Sequence, residues 1–198
     1  MKNLFLDLDD TYLDTDRYIR KVLKANGVSK DLWGIHDDIY VLGDNPDCKD
    51  IIRECMSNYQ VIPTREGAVQ SLQILRTEYN VVFVTSCYSD YEEKSKRELF
   101  SKMGTKFIIC RGGKSHVDMS GGIFVDDHLI HLVESNAEQK IFFFNRYEIS
   151  TGRYNPRTTS MVMNWLELTD ILMSGGEDDE LRRYIHQRVQ ECCKTSRI

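Results

Sequence analysis

Long apolar runs are missing from this sequence, and so is any excess of basic charge. No stretch of its 198 residues approaches the ~20 consecutive apolar residues that span a bilayer. Met1 leads through a polar residue straight into a short apolar run, so the expectation is a soluble, unprocessed, cytoplasmic chain with no membrane partner. A formal net charge of −5 supplies no overall basic footprint and argues against an extended nucleic acid as partner. The cysteines, at positions 48, 55, 87, 110, 192 and 193, lack the paired CxxC spacing of a zinc or redox site, and reduced thiols are expected. The histidines at 36, 116, 128, 131 and 186 show no metal-ligand spacing; His128 and His131 read as surface residues on one helix face. There is no internal repeat and no low-complexity segment. What remains is an ordinary globular composition, 41% hydrophobic and 29% charged, long enough for one domain with an inserted subdomain.

Short apolar runs do recur, at 3–9 (NLFLDLD), 81–86 (VVFVTS), 106–110 (KFIIC), 122–126 (GIFVD) and 140–145 (KIFFFN). They are nearly continuous rather than alternating, as expected of parallel strands covered on both faces. Between them, 65–78 places Val69, Leu72, Ile74 and Leu75 largely on one side of a helix, and 90–103 opens with Asp90 as cap and an acidic first turn. Strands alternating with crossover helices predict an α/β fold with a doubly wound, mostly parallel sheet. Residues 15–63 interrupt the rhythm with two helical stretches, the first stopped by Gly27, and read as a small helical cap inserted after the first strand. The core domain is then 1–14 with 64–198. Near the end, NWLELTDILMSGG and 177–194 are two further helices, and Cys192 and Cys193 close the second of them.

Ligands in such sheets bind at the carboxyl ends of the strands. The first run ends in Asp7, Asp9 and Asp10, the second in Thr85 and Ser86, and the fourth in Asp126 and Asp127; Arg111, Gly112, Gly113 and Lys114 follow the third. Carboxylates gathered on one rim repel one another, and a divalent cation with oxygen preference, Mg²⁺ above all, relieves that repulsion.

These residues carry a resemblance. Asp7-Leu8-Asp9-Asp10-Thr11 is similar to the DxDxT motif of the haloacid dehalogenase superfamily of phosphatases, VFVTS to its apolar run ending in Thr or Ser, and FVDD to its late acidic motif. The order and spacing of IICRGGKSHVDMSGGIFVDDH, with Lys114 about twelve residues before Asp126, resemble the 5′(3′)-deoxyribonucleotidase branch, as do FFFNRY and NWLEL after it. The likeness covers roughly residues 3 to 172. It departs at Asp10, where many members have Gly, and in the cap. Other branches take their lysine from the preceding helix, which here carries Lys94, Lys96 and Lys102.

The resemblance implies a phosphomonoesterase. Asp7 would attack phosphorus to form an aspartyl phosphate, and Asp9 would protonate the leaving oxygen and later activate water. Thr85, Ser86 and Lys114 would bind the phosphoryl group, and Mg²⁺ would sit on Asp7, the backbone carbonyl of Asp9 and one of Asp126 or Asp127. The implied substrate is a small deoxyribonucleoside monophosphate; a homo-oligomer is compatible with the sequence. Two alternatives stand beside it: a phosphatase of the same fold for another small phosphomonoester such as a sugar phosphate, and a non-catalytic nucleotide-binding protein. The presence of both Asp7 and Asp9 favours catalysis, because binding alone needs no proton donor.

Rival readings are weaker. RGGKS invites a nucleotide-binding P-loop, but the position five before Gly113 is Ile108, so the first glycine of that motif is missing. Cys87 has no base from any motif and reads as a small pocket-wall residue. Tyr12, Tyr18, Trp33, Ile35, His36, Tyr40 and Val41 lie in or near the cap span; such a set is more often core than a base-stacking wall, although a nucleobase pocket would use flat surfaces of this kind.

Overall fold

All five apolar runs become strands in the computed structural model, which describes residues 1–29, 45–145 and 159–174. β1 is Lys2–Leu6, β2 Tyr79–Cys87, β3 Lys106–Arg111, β4 Ile123–Asp126 and β5 Gln139–Phe143. A sixth strand, β6 at Ser160–Val162, escapes the sequence reading. Three residues are too few to show a period; this strand exists because Ile141, Phe142 and Phe143 present a paired edge to Ser160, Met161 and Val162. The strand order is β3-β2-β1-β4-β5-β6. Pairing is parallel from β2 to β3, from β4 to β5 and from β5 to β6. The order reverses between β1 and β4, and in doubly wound sheets that reversal is where ligands bind.

The helices are α1 (Thr15–Ala25), α2 (Pro46–Met56), α3 (Ala68–Glu78), α4 (Asp90–Met103), α5 (Leu129–Glu134) and α6 (Trp165–Met173), with a 3₁₀ turn at Tyr59–Val61. Two details differ from the sequence reading. The cap of α4 is Ser89, whose hydroxyl accepts the Glu92 N–H at 3.3 Å; Asp90 is already helical. A serine in extended backbone just before the first turn is a better cap than an acid inside it. On α3 the buried face is Ala68, Ser71, Leu72 and Leu75, while Val69 and Ile74 are 41% and 46% exposed. Small residues complete that face because α3 packs close to α6, near enough for Ser71 Oγ to donate to the Trp165 carbonyl at 3.3 Å.

By compactness, Met1–Phe5 and Glu66–Val81 group with the described residues from Ser115 on, and Leu6–Arg65 groups with Val82–Lys114. The first group is cored by Leu4, Leu75, Phe124, Ile141, Phe143 and Trp165. In the second, Tyr12 meets Phe83 edge-on at 5.2 Å, Phe83 lies 5.4 Å from Phe100, and Phe100 stacks on Phe107 at 4.8 Å. Tyr12 is therefore core and not a wall for a base. Trp33, Ile35, His36, Tyr40 and Val41 lie outside the described residues, as do 177–194 with Cys192 and Cys193. No helix among the described residues is long and apolar enough to cross a membrane.

Candidate active site

β1 stops at Leu6, so Asp7 is the first residue beyond a strand whose last three residues are buried. Asp7 is only 3% exposed, and its Oδ1 accepts a hydrogen bond from the ammonium of Lys114, itself buried. Lys114 lies on the turn-rich connection after β3, which forms no helix over residues 112–122. The anion-binding helix start of a P-loop is thus missing from this segment.

Asp10 has φ +52°, in the left-handed region, at the position where glycine is common in the resembling motif. Aspartate tolerates that region better than most residues, and here its Oδ1 also accepts the Asp16 N–H at 3.0 Å, tying the turn to the first turn of α1. Asp10→Ala loses that bond and keeps the strained backbone. Its expected cost is roughly 1–2 kcal/mol of unfolding free energy, read from a urea titration; a variant as stable as the original chain would refute the account.

Asp9 carries a network that the sequence did not reveal. Its Oδ1 accepts the Thr15 hydroxyl at 2.8 Å and its Oδ2 accepts the Lys96 ammonium at 2.7 Å. Lys96, on α4, has no exposed surface and also meets Glu92 Oε1 at 2.8 Å, the Ser86 carbonyl at 2.5 Å and Thr85 Oγ1 at 3.1 Å. The Tyr59 ring lies 4.8 Å from the ammonium. Burial on its own lowers the pKa of this lysine, but attraction and hydrogen bonds from Asp9 and Glu92 outweigh it, so the pKa lies above the ordinary value and the side chain stays charged. Removing one partner of such a buried pair typically costs about 3–5 kcal/mol. Two signals stand in the sequence: Lys96 is one of three lysines on the helix from which other branches of the resembling family take theirs, and it is spaced i, i+4 from Glu92, which normally marks a solvent-facing pair. Here it lies on the buried face of α4, with Ser95 and Phe100.

Thr85 is fully buried and belongs to this network: it accepts from Lys96, and its own hydroxyl lies 3.3 Å from the Ser86 carbonyl and 3.5 Å from Asp9 Oδ2. The Ser86 hydroxyl is buried with no hydrogen-bond partner among the described residues. An unmatched buried donor is costly and asks for an acceptor. Cys87 is buried; burial first, and the nearby Glu92 and Glu93 second, push its thiol pKa up, which suits a wall residue and not a thiolate nucleophile.

β4 delivers Asp126 and Asp127, both buried. Asp126 Oδ1 accepts the His128 N–H at 2.8 Å, and His131 Nδ1 stands 3.3 and 3.2 Å from the two Asp126 oxygens. His131 is thus no surface residue, contrary to the sequence reading. One turn of α5 brings it back over the strand end, and its side chain is only 15% exposed. The Asn145 amide donates to Asp127 Oδ2 at 3.0 Å. Asp7, Asp126 and Asp127 are each buried and each have a carboxylate oxygen to offer a metal ion. Three buried hard-oxygen donors of one sign form a set that suits a hard divalent cation.

Solved structures share this architecture at low identity. SP0104 of Streptococcus pneumoniae, a haloacid dehalogenase-like family hydrolase, matches with a TM-score of 0.58 at 13% identity, over 87% of this chain and 98% of that one. YfnB of Bacillus subtilis, solved with magnesium bound, matches with 0.50 at 12% identity, over 86% and 98%. The L-2-haloacid dehalogenase PA0810 matches with 0.51 at 10% identity, over 87% and 99%. The chain therefore has the haloacid dehalogenase-like α/β fold. Neither a family model nor a curated protein matches the sequence. The same fold serves a dehalogenase among these neighbours, so the reaction has to be argued from the side chains.

Proposed function

We propose that this protein is a Mg²⁺-dependent phosphomonoesterase that hydrolyses deoxyribonucleoside 5′(3′)-monophosphates through an aspartyl-phosphate intermediate. The observation that carries the reading is Asp7: a buried carboxylate at a strand end, ion-paired to the buried Lys114. Asp7 supplies the nucleophilic oxygen. Lys114 neutralises charge beside it, which a carboxylate needs in order to approach a phosphate dianion. The unpartnered Ser86 hydroxyl is a donor for a phosphoryl oxygen. Bound Mg²⁺ would be held by Asp7, Asp126, Asp127 and the Asp9 carbonyl, and would supply charge neutralisation as the phosphoryl group transfers.

Asp9 favours phosphate esters over carbon–halogen substrates. A halide departs without a proton, whereas an alkoxide leaving from phosphorus needs one, and Asp9 is a carboxyl group two residues from the nucleophile. What supports the deoxyribonucleotidase branch is narrower: the spacing from Lys114 to Asp126 and Asp127, and the contact of that lysine with Asp7.

The test is a panel of nucleoside monophosphates and sugar phosphates, with and without metal. Activity should vanish in EDTA and return with Mg²⁺, with Ca²⁺ a poor substitute because its larger and looser shell misplaces nucleophile and phosphate; undiminished activity in chelator sinks the metal assignment. A site whose wall beside the sugar is apolar would reject an added hydroxyl by only about 1–3 kcal/mol. On that basis dUMP should exceed UMP in kcat/KM by roughly ten- to a few hundred-fold, with UMP still hydrolysed. Equal rates remove the deoxyribonucleotide assignment and leave the phosphatase chemistry; a sugar phosphate outperforming both moves the assignment there.

A further inference from the structure

We infer that Lys96 is a positioning residue for Asp9, fixing the carboxyl group that serves the leaving oxygen; this rests on the phosphomonoesterase reading. Lys96 is a second buried lysine, distinct from Lys114, and its contact is with the other aspartate. An ammonium has three protons, and Lys96 has four oxygens around it, from Asp9, Glu92, Thr85 and Ser86. The anchor is itself anchored. Glu92 Oε2 accepts the Tyr88 N–H at 2.9 Å, and the Tyr59 hydroxyl donates to Oε1 at 3.4 Å. The long flexible stem of lysine is therefore held in one place from α4, from the segment after β2 and from the 3₁₀ turn.

Asp9 in turn is gripped at both oxygens, Oδ2 by Lys96 and Oδ1 by Thr15. Oδ2 also faces the Thr85 hydroxyl at 3.5 Å, whereas Oδ1 keeps a further lone pair with which to serve substrate, and the group cannot rotate without breaking these contacts. A proton donor has to sit within about 2.6–3.2 Å of the leaving oxygen. In the first half-reaction the bond from Asp7 to phosphorus forms, the bond from phosphorus to the ester oxygen breaks, and that oxygen leaves with the proton of Asp9. If Lys96 positions this donor, its loss matters in proportion to how badly the leaving group needs a proton.

Two esters separate this role from a structural one. A 4-nitrophenyl phosphate releases a stable phenolate and needs little protonation, whereas an alkyl phosphomonoester such as dUMP releases an alkoxide. The quantity to compare is kcat/KM, which reports the steps up to departure of the leaving group. In Lys96→Met we expect kcat/KM for the alkyl ester to fall about 10- to 100-fold more than for the aryl ester, the scale of a misplacement near 1 Å. Glu92→Gln, which keeps Lys96 but loosens it, should shift the alkyl-to-aryl ratio in the same direction by less, and it carries the test if Lys96→Met fails to fold by circular dichroism. Equal losses on both esters, or no loss on either, in the folded variant overturn the inference. A wild-type chain inactive on both esters sinks the phosphomonoesterase reading instead.

Discussion

Replacing Asp7 by asparagine abolishes turnover: that is the expected result with the largest effect. The amide is a poor nucleophile, so no aspartyl phosphate forms, and it also removes one of the negative oxygens proposed to hold Mg²⁺. The side chain has nearly the same volume, so packing is conserved, but Lys114 is left buried beside a neutral group. Some stability is therefore lost along with activity. The measurement is steady-state turnover of the best substrate from the panel, with circular dichroism to show that the fold persists. If the folded variant keeps more than about a few per cent of activity, well above what loss of a nucleophile allows, another residue attacks phosphorus.

Asp9→Asn has the second largest effect, and a different character. The proposed metal contact at this position is a backbone carbonyl, so Mg²⁺ affinity, read by calorimetry, should persist. The rate should fall by roughly 10²–10⁴-fold, the range for removal of a positioned acid or base. The one oxygen of asparagine can still accept from Lys96 while its NH2 turns to donate to the Thr15 hydroxyl oxygen, so the side chain keeps its place while its proton is lost. Wild-type turnover would remove the proposed role, and lost Mg²⁺ binding would mean that the Asp9 carboxylate is itself a ligand.

Part of this arrangement is legible in the chain alone. Runs such as GIFVD and KIFFFN predict buried parallel strands, and β4 and β5 form there because a strand covered on both faces has to be apolar nearly throughout. β6 has no such signal, because a three-residue edge strand is defined by the partner it meets. The face of α3 misleads for a related reason. Hydrophobicity points to Val69 and Ile74, yet the helix that α3 meets accepts Ala68 and Ser71 instead. His131 reads as surface until α5 turns it toward Asp126.

The sequence by itself determined the alternation of strands and helices, the placing of Asp7, Asp126 and Asp127 at strand ends, and the oxygen-rich character of the site, because these depend on residue type and local period. Only the tertiary structure decided which charges meet. Lys114 is 107 residues from Asp7, and Lys96 is 87 residues from Asp9. No local pattern encodes such pairings. A lysine is apolar along its stem and charged at its tip, so whether it is a solvated surface group or a buried anchor depends on what the rest of the chain brings to that tip.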